Sequence, residues 1–271
     1  MTPSRRTIED IEFASIAGAR LRLDLHRPAG DAVVPCVVYF HGGGWARGSR
    51  KDNVTPRLAP VVGQGLAVCS VSYRLTDVAT HPAQVEDGRA ALGWLRANGA
   101  GYGLRTDRIG AWGASAGGWI ALMLALTGED PAQRADAACA WFPPTDLEHV
   151  TPEREAAALR LPAFMQGHPV PDMEARLLGL RFVRDDPALA RQASPLTHAA
   201  RSHGPVLLIH GDADGLINVS QSRRLHRALL AAGGDSELLV VDGANHEDGP
   251  FHRPAILSAT GGFLLASLSA R

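Results

Sequence analysis

The sequence is poor in cysteine, in aromatic residues and in net charge. Only three cysteines occur among its 271 residues, 6% of the side chains are aromatic, and the formal net charge at pH 7 is −1. Because acidic and basic residues are intermixed, the sequence indicates neither a basic face for nucleic acid nor an acidic tail. A small neutral ligand fits this charge balance better, and we expect no cofactor.

Long apolar runs are also missing, since none approaches the about 20 residues that a membrane-spanning helix needs. The arginine pair at positions 5–6 is followed by mostly polar residues and not by the apolar stretch of an export signal. Cys36, Cys69 and Cys139 are odd in number and lie in strand-like apolar runs, which predicts buried free thiols. We therefore expect a cytoplasmic protein without a membrane partner.

Eleven histidines invite the hypothesis of a metal site, and His246, Glu247 and His252 could form part of one. Pro250, however, interrupts the helix that the H-E-x-x-H spacing of metal ligands requires. The sequence therefore favours a protein without a metal.

Apolar runs and helical patterns alternate along most of the chain. Residues 5–13 and 19–27 are predicted to form a hairpin at a sheet edge, because apolar and polar residues alternate there. Further strands are predicted at 35–40, 67–73, 109–112, 137–142, 205–209 and 237–241, and helices at 54–64, 82–98, 119–126, 219–231 and 252–268. This alternation predicts an α/β fold, with one domain over residues 1–271, a mostly parallel central sheet and helices on both faces.

The alternation is lost between residues 146 and 201. Six prolines separate short apolar clusters in this stretch, which predicts short helices and no further sheet unit. Insertions at the carboxyl ends of parallel strands commonly cover a binding site. We expect residues 146–201 to form a small helical cap.

Ser115 lies in a glycine-rich turn between a predicted strand and a predicted helix. The stretch Gly113-Ala114-Ser115-Ala116-Gly117-Gly118 contains a G-x-S-x-G pattern. Glycines on both sides of a serine allow a turn so tight that the side chain projects from the sheet edge beside a helix N-terminus. Because this pattern also arises by chance in chains rich in glycine and alanine, it needs partners elsewhere.

Two such partners, Asp214 and His246, follow two later predicted strands. The carboxyl ends of parallel strands meet at one sheet edge, so these distant residues can converge with Ser115. A serine becomes a nucleophile when a histidine accepts its proton and a carboxylate orients that histidine. The order serine, aspartate, histidine is that of the α/β hydrolases and predicts a catalytic triad. Asp212 and Asp146 remain alternatives for the acid.

An oxyanion hole is predicted from three backbone N–H groups. Ala116 follows the serine directly, while Gly43 and Gly44 belong to the stretch His41-Gly42-Gly43-Gly44 after a buried strand. Such donors stabilise the charge that develops on a carbonyl oxygen in a tetrahedral transition state, and losing one costs on the order of 3 kcal/mol. His41 itself is expected to brace this loop by hydrogen bonds.

Four motifs together resemble those of the hormone-sensitive-lipase-like carboxylesterases of the α/β-hydrolase superfamily, nearest to the bacterial feruloyl-esterase-like (BD-FAE) branch. The motifs are His41-Gly42-Gly43-Gly44-Trp45, the stretch around Ser115, His210-Gly211-Asp212-Ala213-Asp214 and Gly243-Ala244-Asn245-His246. The resemblance covers about residues 30–250. It departs from the family at 215–218, where a valine-proline pair is usual, and at Trp119, where the branch often has histidine.

The resemblance implies a serine carboxylesterase that works through an acyl-enzyme on Ser115. Because the predicted cap is short and interrupted by proline, we expect a modest pocket for small soluble esters, of a short acyl chain or a compact aromatic acid, and not for long-chain lipids. An amidase or formamidase stays open as an alternative, because acyl transfer from nitrogen uses the same groups. A non-catalytic ligand receptor on the same scaffold would not need all three triad residues. Relatives form dimers through an edge strand or the C-terminal helix, so a homodimer also stays open.

Four aromatic residues are predicted to bind the substrate: Trp45, Trp119, Phe142 and Phe164. The first three lie near predicted strand ends and would fill space beside the acyl group, while Phe164 would line the underside of the cap. Bulky side chains near a nucleophile limit which acyl groups reach attack geometry. We therefore expect kcat/KM to be highest for acetyl to butyryl esters and to fall steeply by octanoyl.

Overall fold

The computed structural model describes residues 5–157, 160–167, 170 and 172–269. Its centre is one sheet of eight strands in the order β1-β2-β4-β3-β5-β6-β7-β8. The strands are β1 (Arg5–Ile16), β2 (Ala19–Pro28), β3 (Val34–Phe40), β4 (Ala67–Val71), β5 (Leu104–Ala114), β6 (Ala137–Trp141), β7 (Val206–Gly211) and β8 (Ser236–Val241). This is the fold class that the sequence predicts, and all eight predicted strands are present.

The sheet is parallel except at one edge. β1 and β2 form an antiparallel hairpin, β2 also pairs antiparallel with β4, and every other neighbouring pair is parallel. Every residue of β4, β6 and β7 is buried, as continuous apolar runs between two helical layers require. β1 is largely exposed, which agrees with its predicted place at the edge.

In the described ranges, eight α-helices accompany the sheet. They are α1 (Ala59–Val62), α2 (Ala83–Asn98), α3 (Ala116–Leu126), α4 (Val150–Ala157), α5 (Met173–Leu178), α6 (Pro187–Gln192), α7 (Ser220–Ala231) and α8 (Pro254–Ser269). One buried cluster joins the sheet to α2, α3 and α7, and a second joins its other face to α1 and α8. The prediction of helices on both faces is therefore confirmed.

The first predicted helix is shorter than expected. Residues 54–64 were expected to be one helix, but a π-helical turn over Val54–Leu58 precedes the four residues of α1. Pro56 and Pro60 lie in this stretch and each removes a backbone N–H donor, which disfavours a regular ladder.

The stretch between β6 and β7, residues 146–201, is here called the cap segment. It contains α4, α5 and α6 together with 3₁₀ turns at Ala163–Met165, Val183–Asp185 and Pro195–Arg201. These are the short helices that its prolines predict. His168, Pro169 and Pro171 lie outside the described residues.

Cys36, Cys69 and Cys139 are buried and free, as predicted. Burial raises the pKa of the Cys36 and Cys139 thiols to about 12, so both stay protonated and unreactive near neutral pH. In the ranges that the structure describes, no helix combines the length and the apolar character needed to cross a membrane.

Candidate active site

Ser115 occupies a tight turn between β5 and α3. Its backbone has φ 55° and ψ −121°, a combination that is uncommon for a residue with a side chain and costs energy. A methyl group on Gly117 would lie 2.1 Å from the Phe40 carbonyl oxygen, and one on Gly113 would lie 2.2 Å from the Gly117 carbonyl oxygen. Only glycine lets the three backbones approach this closely, which explains the glycines on either side of Ser115.

The structure brings Ser115, His246 and Asp214 together. The Ser115 hydroxyl lies 3.0 Å from Nε2 of His246, and Nδ1 of the same ring lies 2.7 Å from Oδ2 of Asp214. The carboxylate favours the tautomer in which Nδ1–H donates to it, which leaves Nε2 free to accept the serine proton. Phe142 packs edge-on against the imidazole with ring centroids 4.6 Å apart and holds its orientation.

Asp214 is fixed on both oxygens. Oδ1 accepts backbone N–H bonds from Leu216 at 2.9 Å and Ile217 at 2.8 Å, and Nε2 of His210 lies 3.4 Å from Oδ2. Burial alone would raise the pKa of Asp214, but the charge and hydrogen bonds of His246 and His210 outweigh it and hold that pKa well below its usual range. The carboxylate is therefore ionised near neutral pH.

The two alternative acids are engaged elsewhere. Asp212 accepts the backbone N–H of Gly243 at 2.7 Å, the turn role that its position suggests. Asp146 faces His149 and Arg224, at 2.9 and 3.3 Å. In the described part of the chain neither of them has a hydrogen bond or ion pair with His246, whereas Asp214 has both, so the geometry favours Asp214.

The loop after β3 presents glycine backbone next to the serine. Gly43 has φ 115° and Gly44 has φ 60°, conformations that glycine adopts without strain. His41 braces the loop as expected: its Nδ1 lies 2.7 Å from the Gly42 carbonyl oxygen, and its ring stacks on Tyr73 at 4.5 Å. Ala116, the third proposed donor, is buried in the first turn of α3.

A pocket of about 400 Å³ opens over Ser115 and His246. Its lining combines the glycine loop, charged and polar side chains, and apolar side chains that come mostly from the cap segment. The residues are Gly42, Gly43, Gly44, Arg47, Gly48, Asp52, Asn53, Ser115, Phe164, Met165, Met173, Leu216, His246, Glu247 and His252.

Three of the four aromatic residues predicted to bind substrate do not line this pocket. Trp45 and Trp119 are buried against each other with ring centroids 5.4 Å apart, and the Trp119 indole N–H donates to the Ala193 carbonyl. Phe142 is buried behind His246 and packs on Phe251 as well. Phe164 lines the pocket as predicted. Nearness to a strand end did not decide which way each ring faces.

Sequence reasoning missed the polar wall of the pocket. Arg57 Nη2 donates to Oε1 of Glu247 and lies 3.2 Å from Nε2 of His252. Asn53 Nδ2 lies 3.5 Å from the same carboxylate oxygen. The sequence points to Glu247 only as a neighbour of His246 and as a candidate metal ligand, and its partner Arg57 is 190 positions away. No local pattern could have paired them.

Ser115 lies in a strained turn between a strand and a helix. Its histidine and aspartate follow two later strands of the same mostly parallel sheet. This arrangement defines an α/β hydrolase. Within that superfamily the chain belongs to the BD-FAE family, whose model matches residues 23–229.

The chain is also similar to curated esterases and shares its fold with a solved structure. Esterase LipQ of Mycobacterium tuberculosis is 29% identical over 199 residues, which are 73% of this chain and 46% of LipQ. Esterase LipC of the same organism is 30% identical over 224 residues, or 78% of this chain and 52% of LipC. The chain thus spans about half the length of these relatives. A truncated carbohydrate esterase from gut microbiota shares the fold, with a TM-score of 0.84, 23% identity, and coverage of 99% of this chain and 98% of that one.

Proposed function

We propose that this protein is a serine carboxylesterase acting on small esters through an acyl-enzyme on Ser115. The observation that carries the proposal is the line of hydrogen bonds from Ser115 through His246 to Asp214 on the floor of a pocket bordered by glycine backbone. The names of LipQ and LipC support ester chemistry. The buried free thiols support a reducing compartment, and we assign the protein to the cytoplasm on that basis.

The reaction follows from this arrangement. Ser115 Oγ attacks the ester carbonyl carbon while His246 Nε2 takes the hydroxyl proton, and Asp214 stabilises the resulting imidazolium. The N–H groups of Gly43, Gly44 and Ala116 are the proposed donors to the oxyanion. Collapse of the intermediate breaks the bond to the alcohol, which leaves with the proton from His246. Water then attacks the acyl-enzyme by the same steps and releases the acid.

The size of the pocket supports a short acyl group. A volume of about 400 Å³ lies towards the lower end of the about 300–1,000 Å³ of ligand pockets. Met173 borders the glycine loop so closely that a methyl group on Gly44 would lie 2.2 Å from its sulfur. The bulk predicted from Trp45, Trp119 and Phe142 is thus supplied by Met173 together with Phe164 and Met165.

The test is covalent labelling followed by a substrate series. A fluorophosphonate should modify Ser115 in the wild-type protein, as located by mass spectrometry of its peptides, and should leave Ser115→Ala unmodified. With p-nitrophenyl esters, kcat/KM should be highest from acetyl to butyryl and fall steeply by octanoyl. A label on another residue, or full activity in Ser115→Ala, would end the proposal, and rates that rise through decanoyl would remove the short-chain preference. Formanilide hydrolysis faster than ester hydrolysis would establish the amidase alternative.

A further inference from the structure

The pocket over Ser115 has two unlike sides. Its apolar side consists of Phe164, Met165, Met173 and Leu216, and its polar side includes Asp52, Asn53, Glu247 and His252. The hydrolytic steps need only the triad and the oxyanion donors, so the polar side is left without a role in the chemistry.

Glu247 is the most strongly anchored group on the polar side. Oε1 accepts a hydrogen bond from Arg57, whose side chain is completely buried. Arg57 is itself fixed, because it donates to the Tyr39 hydroxyl at 2.9 Å and its guanidinium lies 4.8 Å from the centre of the Trp141 ring. Glu247 also has a φ of 55°, a strained conformation that persists only where the surrounding structure imposes it.

The other carboxylate oxygen of Glu247 borders the reaction space. A methyl group placed on Gly42 would lie 3.4 Å from Oε2 of Glu247 and 3.5 Å from the Cβ atom of Ser115. Oε2 of Glu247 and the Cβ atom of Ser115 therefore both border the small space beside Gly42. The hydrogen bonds that the described residues make to Glu247 all reach Oε1, which leaves Oε2 available to a ligand.

The charge of Glu247 points into the pocket. Burial raises the pKa of this carboxyl, but the adjacent Arg57 guanidinium outweighs it and holds the pKa below its usual value. The carboxylate is 27% exposed, whereas its guanidinium partner is buried behind it. A ligand therefore meets the negative end of the ion pair first. His252 adds no positive charge near neutral pH, because burial and Arg57 lower its pKa.

The alcohol portion of an ester is the part that comes nearest to Glu247. In the proposed reaction His246 delivers its proton to the leaving alkoxide, so the alcohol must lie beside the His246 ring. Glu247 follows His246 in the chain and shares the same wall. We propose that Glu247 is a specificity-determining residue, which favours esters of cationic or hydroxyl-bearing alcohols and disfavours esters whose alcohol carries a carboxylate. This inference rests on the proposed esterase function.

The test compares acetate esters that differ in the charge of the leaving group: phenyl acetate, 4-acetoxybenzoate and 3-acetoxyphenyltrimethylammonium. Each kcat/KM is divided by the rate constant of the same ester with hydroxide, which removes differences in intrinsic reactivity. For the wild-type protein at low salt, the normalised ratio of cation to anion should be at least about 10, and it should fall as NaCl is raised. Glycerol monoacetate against propyl acetate tests the hydroxyl-bearing alcohols in the same way.

The decisive variant is Glu247→Gln, which keeps the size of the side chain and removes its charge. It should lower the ratio of cation to anion about 10-fold, because the carboxylate that offsets Arg57 behind the pocket and Arg47 in its lining is then lost. Asp52→Asn is the matched control, since Asp52 also lines the pocket but both of its oxygens bond to Ser49. It should change the ratio by no more than about 2-fold.

Three outcomes would overturn the inference. An equal ratio in wild type and Glu247→Gln, or an Asp52→Asn effect as large as that of Glu247→Gln, would show that Glu247 does not select the alcohol. If Glu247→Gln fails to fold, the wild-type protein alone decides. A normalised ratio of cation to anion that is near one and does not change with salt would also show that Glu247 does not select the alcohol. A folded wild type that hydrolyses none of the esters and is not labelled on Ser115 would instead refute the proposed function, and the inference would fall with it.

Discussion

The floor of the pocket and its cap side are built in different ways. On the floor, Asp214 and His246 are buried and share a hydrogen bond of 2.7 Å. Further bonds of 2.8 to 3.0 Å join them to Ser115 and to the backbone N–H groups of Leu216 and Ile217. On the cap side, Phe164 is 50% exposed, and Met173 meets the glycine loop through a flexible thioether. Buried, fully bonded groups keep one geometry, whereas exposed apolar groups can be repacked at little cost. Under the proposed function, we expect the floor to determine whether an ester reacts and the cap segment to determine which esters react.

The largest effect should come from the floor. Asp214→Asn should lower kcat for p-nitrophenyl acetate by about 10⁴-fold, because the amide favours the wrong imidazole tautomer and cannot stabilise the imidazolium. Asp212→Asn is the matched control and should stay within about 5-fold, since it loses only a turn hydrogen bond. If Asp212→Asn or Asp146→Asn caused the larger loss, the assignment of the acid would be wrong.

Effects of intermediate size are expected in the glycine loop, where Gly43 and Gly44 meet different neighbours. A methyl group on Gly43 would lie 2.2 Å from the Arg47 backbone oxygen, whereas one on Gly44 would meet the Met173 sulfur. Gly43→Ala should therefore lower kcat about 10²-fold by displacing an oxyanion donor. Gly44→Ala should cost about 10-fold, and adding Met173→Ala should restore part of that loss, because the backbone strain of alanine at a φ of 60° remains.

Steady-state kinetics with p-nitrophenyl acetate would measure all of these variants, together with Gly43→Ala/Met173→Ala. Rescue of Gly43→Ala by Met173→Ala, or no rescue of Gly44→Ala, would contradict the distinction between backbone and side-chain neighbours.

The smallest effect concerns the pH dependence of the free energy of unfolding, and it comes from His81, which contacts the cap segment. The His81 backbone N–H donates to the Leu177 carbonyl of α5 at 2.8 Å, and burial lowers the pKa of the His81 side chain to about 4. In the unfolded chain His81 has its ordinary pKa of 6.5. Between about pH 6.5 and 4 this side chain is therefore protonated in the unfolded chain and neutral in the folded protein. Stability should therefore fall as the pH is lowered through this window.

Urea unfolding at pH 7.5 and pH 5 would measure this effect. His81→Gln should lose about 1–2 kcal/mol less stability than the wild type over that change. A loss of the same size in both proteins would show that His81 is not the responsible group.

Sequence patterns predicted the sheet, the short helices of the cap segment and the residues that meet at Ser115. These predictions succeeded because the spacing of apolar residues, the positions of proline and glycine, and the order of the motifs along the chain can all be taken directly from the sequence. The direction of a ring after a strand end is not local. Trp45 turns inward through a backbone φ of 55° and packs on Trp119, a contact that only the assembled fold creates.

The sequence did not predict the polar side of the pocket, for a similar reason. Glu247 first suggested a metal ligand, because it stands between two histidines in the chain. In the fold its carboxylate is instead held by Arg57, from the turn before α1. Such long-range ion pairs have no signature in a single sequence, and only the three-dimensional structure could identify this one.

The close approach of backbones around Ser115 also limits how this protein can change over evolutionary time. Any side chain at position 117 must push against the Phe40 carbonyl, and so against a strand in the middle of the sheet. Mutations at the turn are therefore removed by selection for folding before selection for activity can act on them. Phe164 carries no such constraint, because its side chain is half exposed, so a library confined to this position should yield new acyl preferences while most of its members still fold.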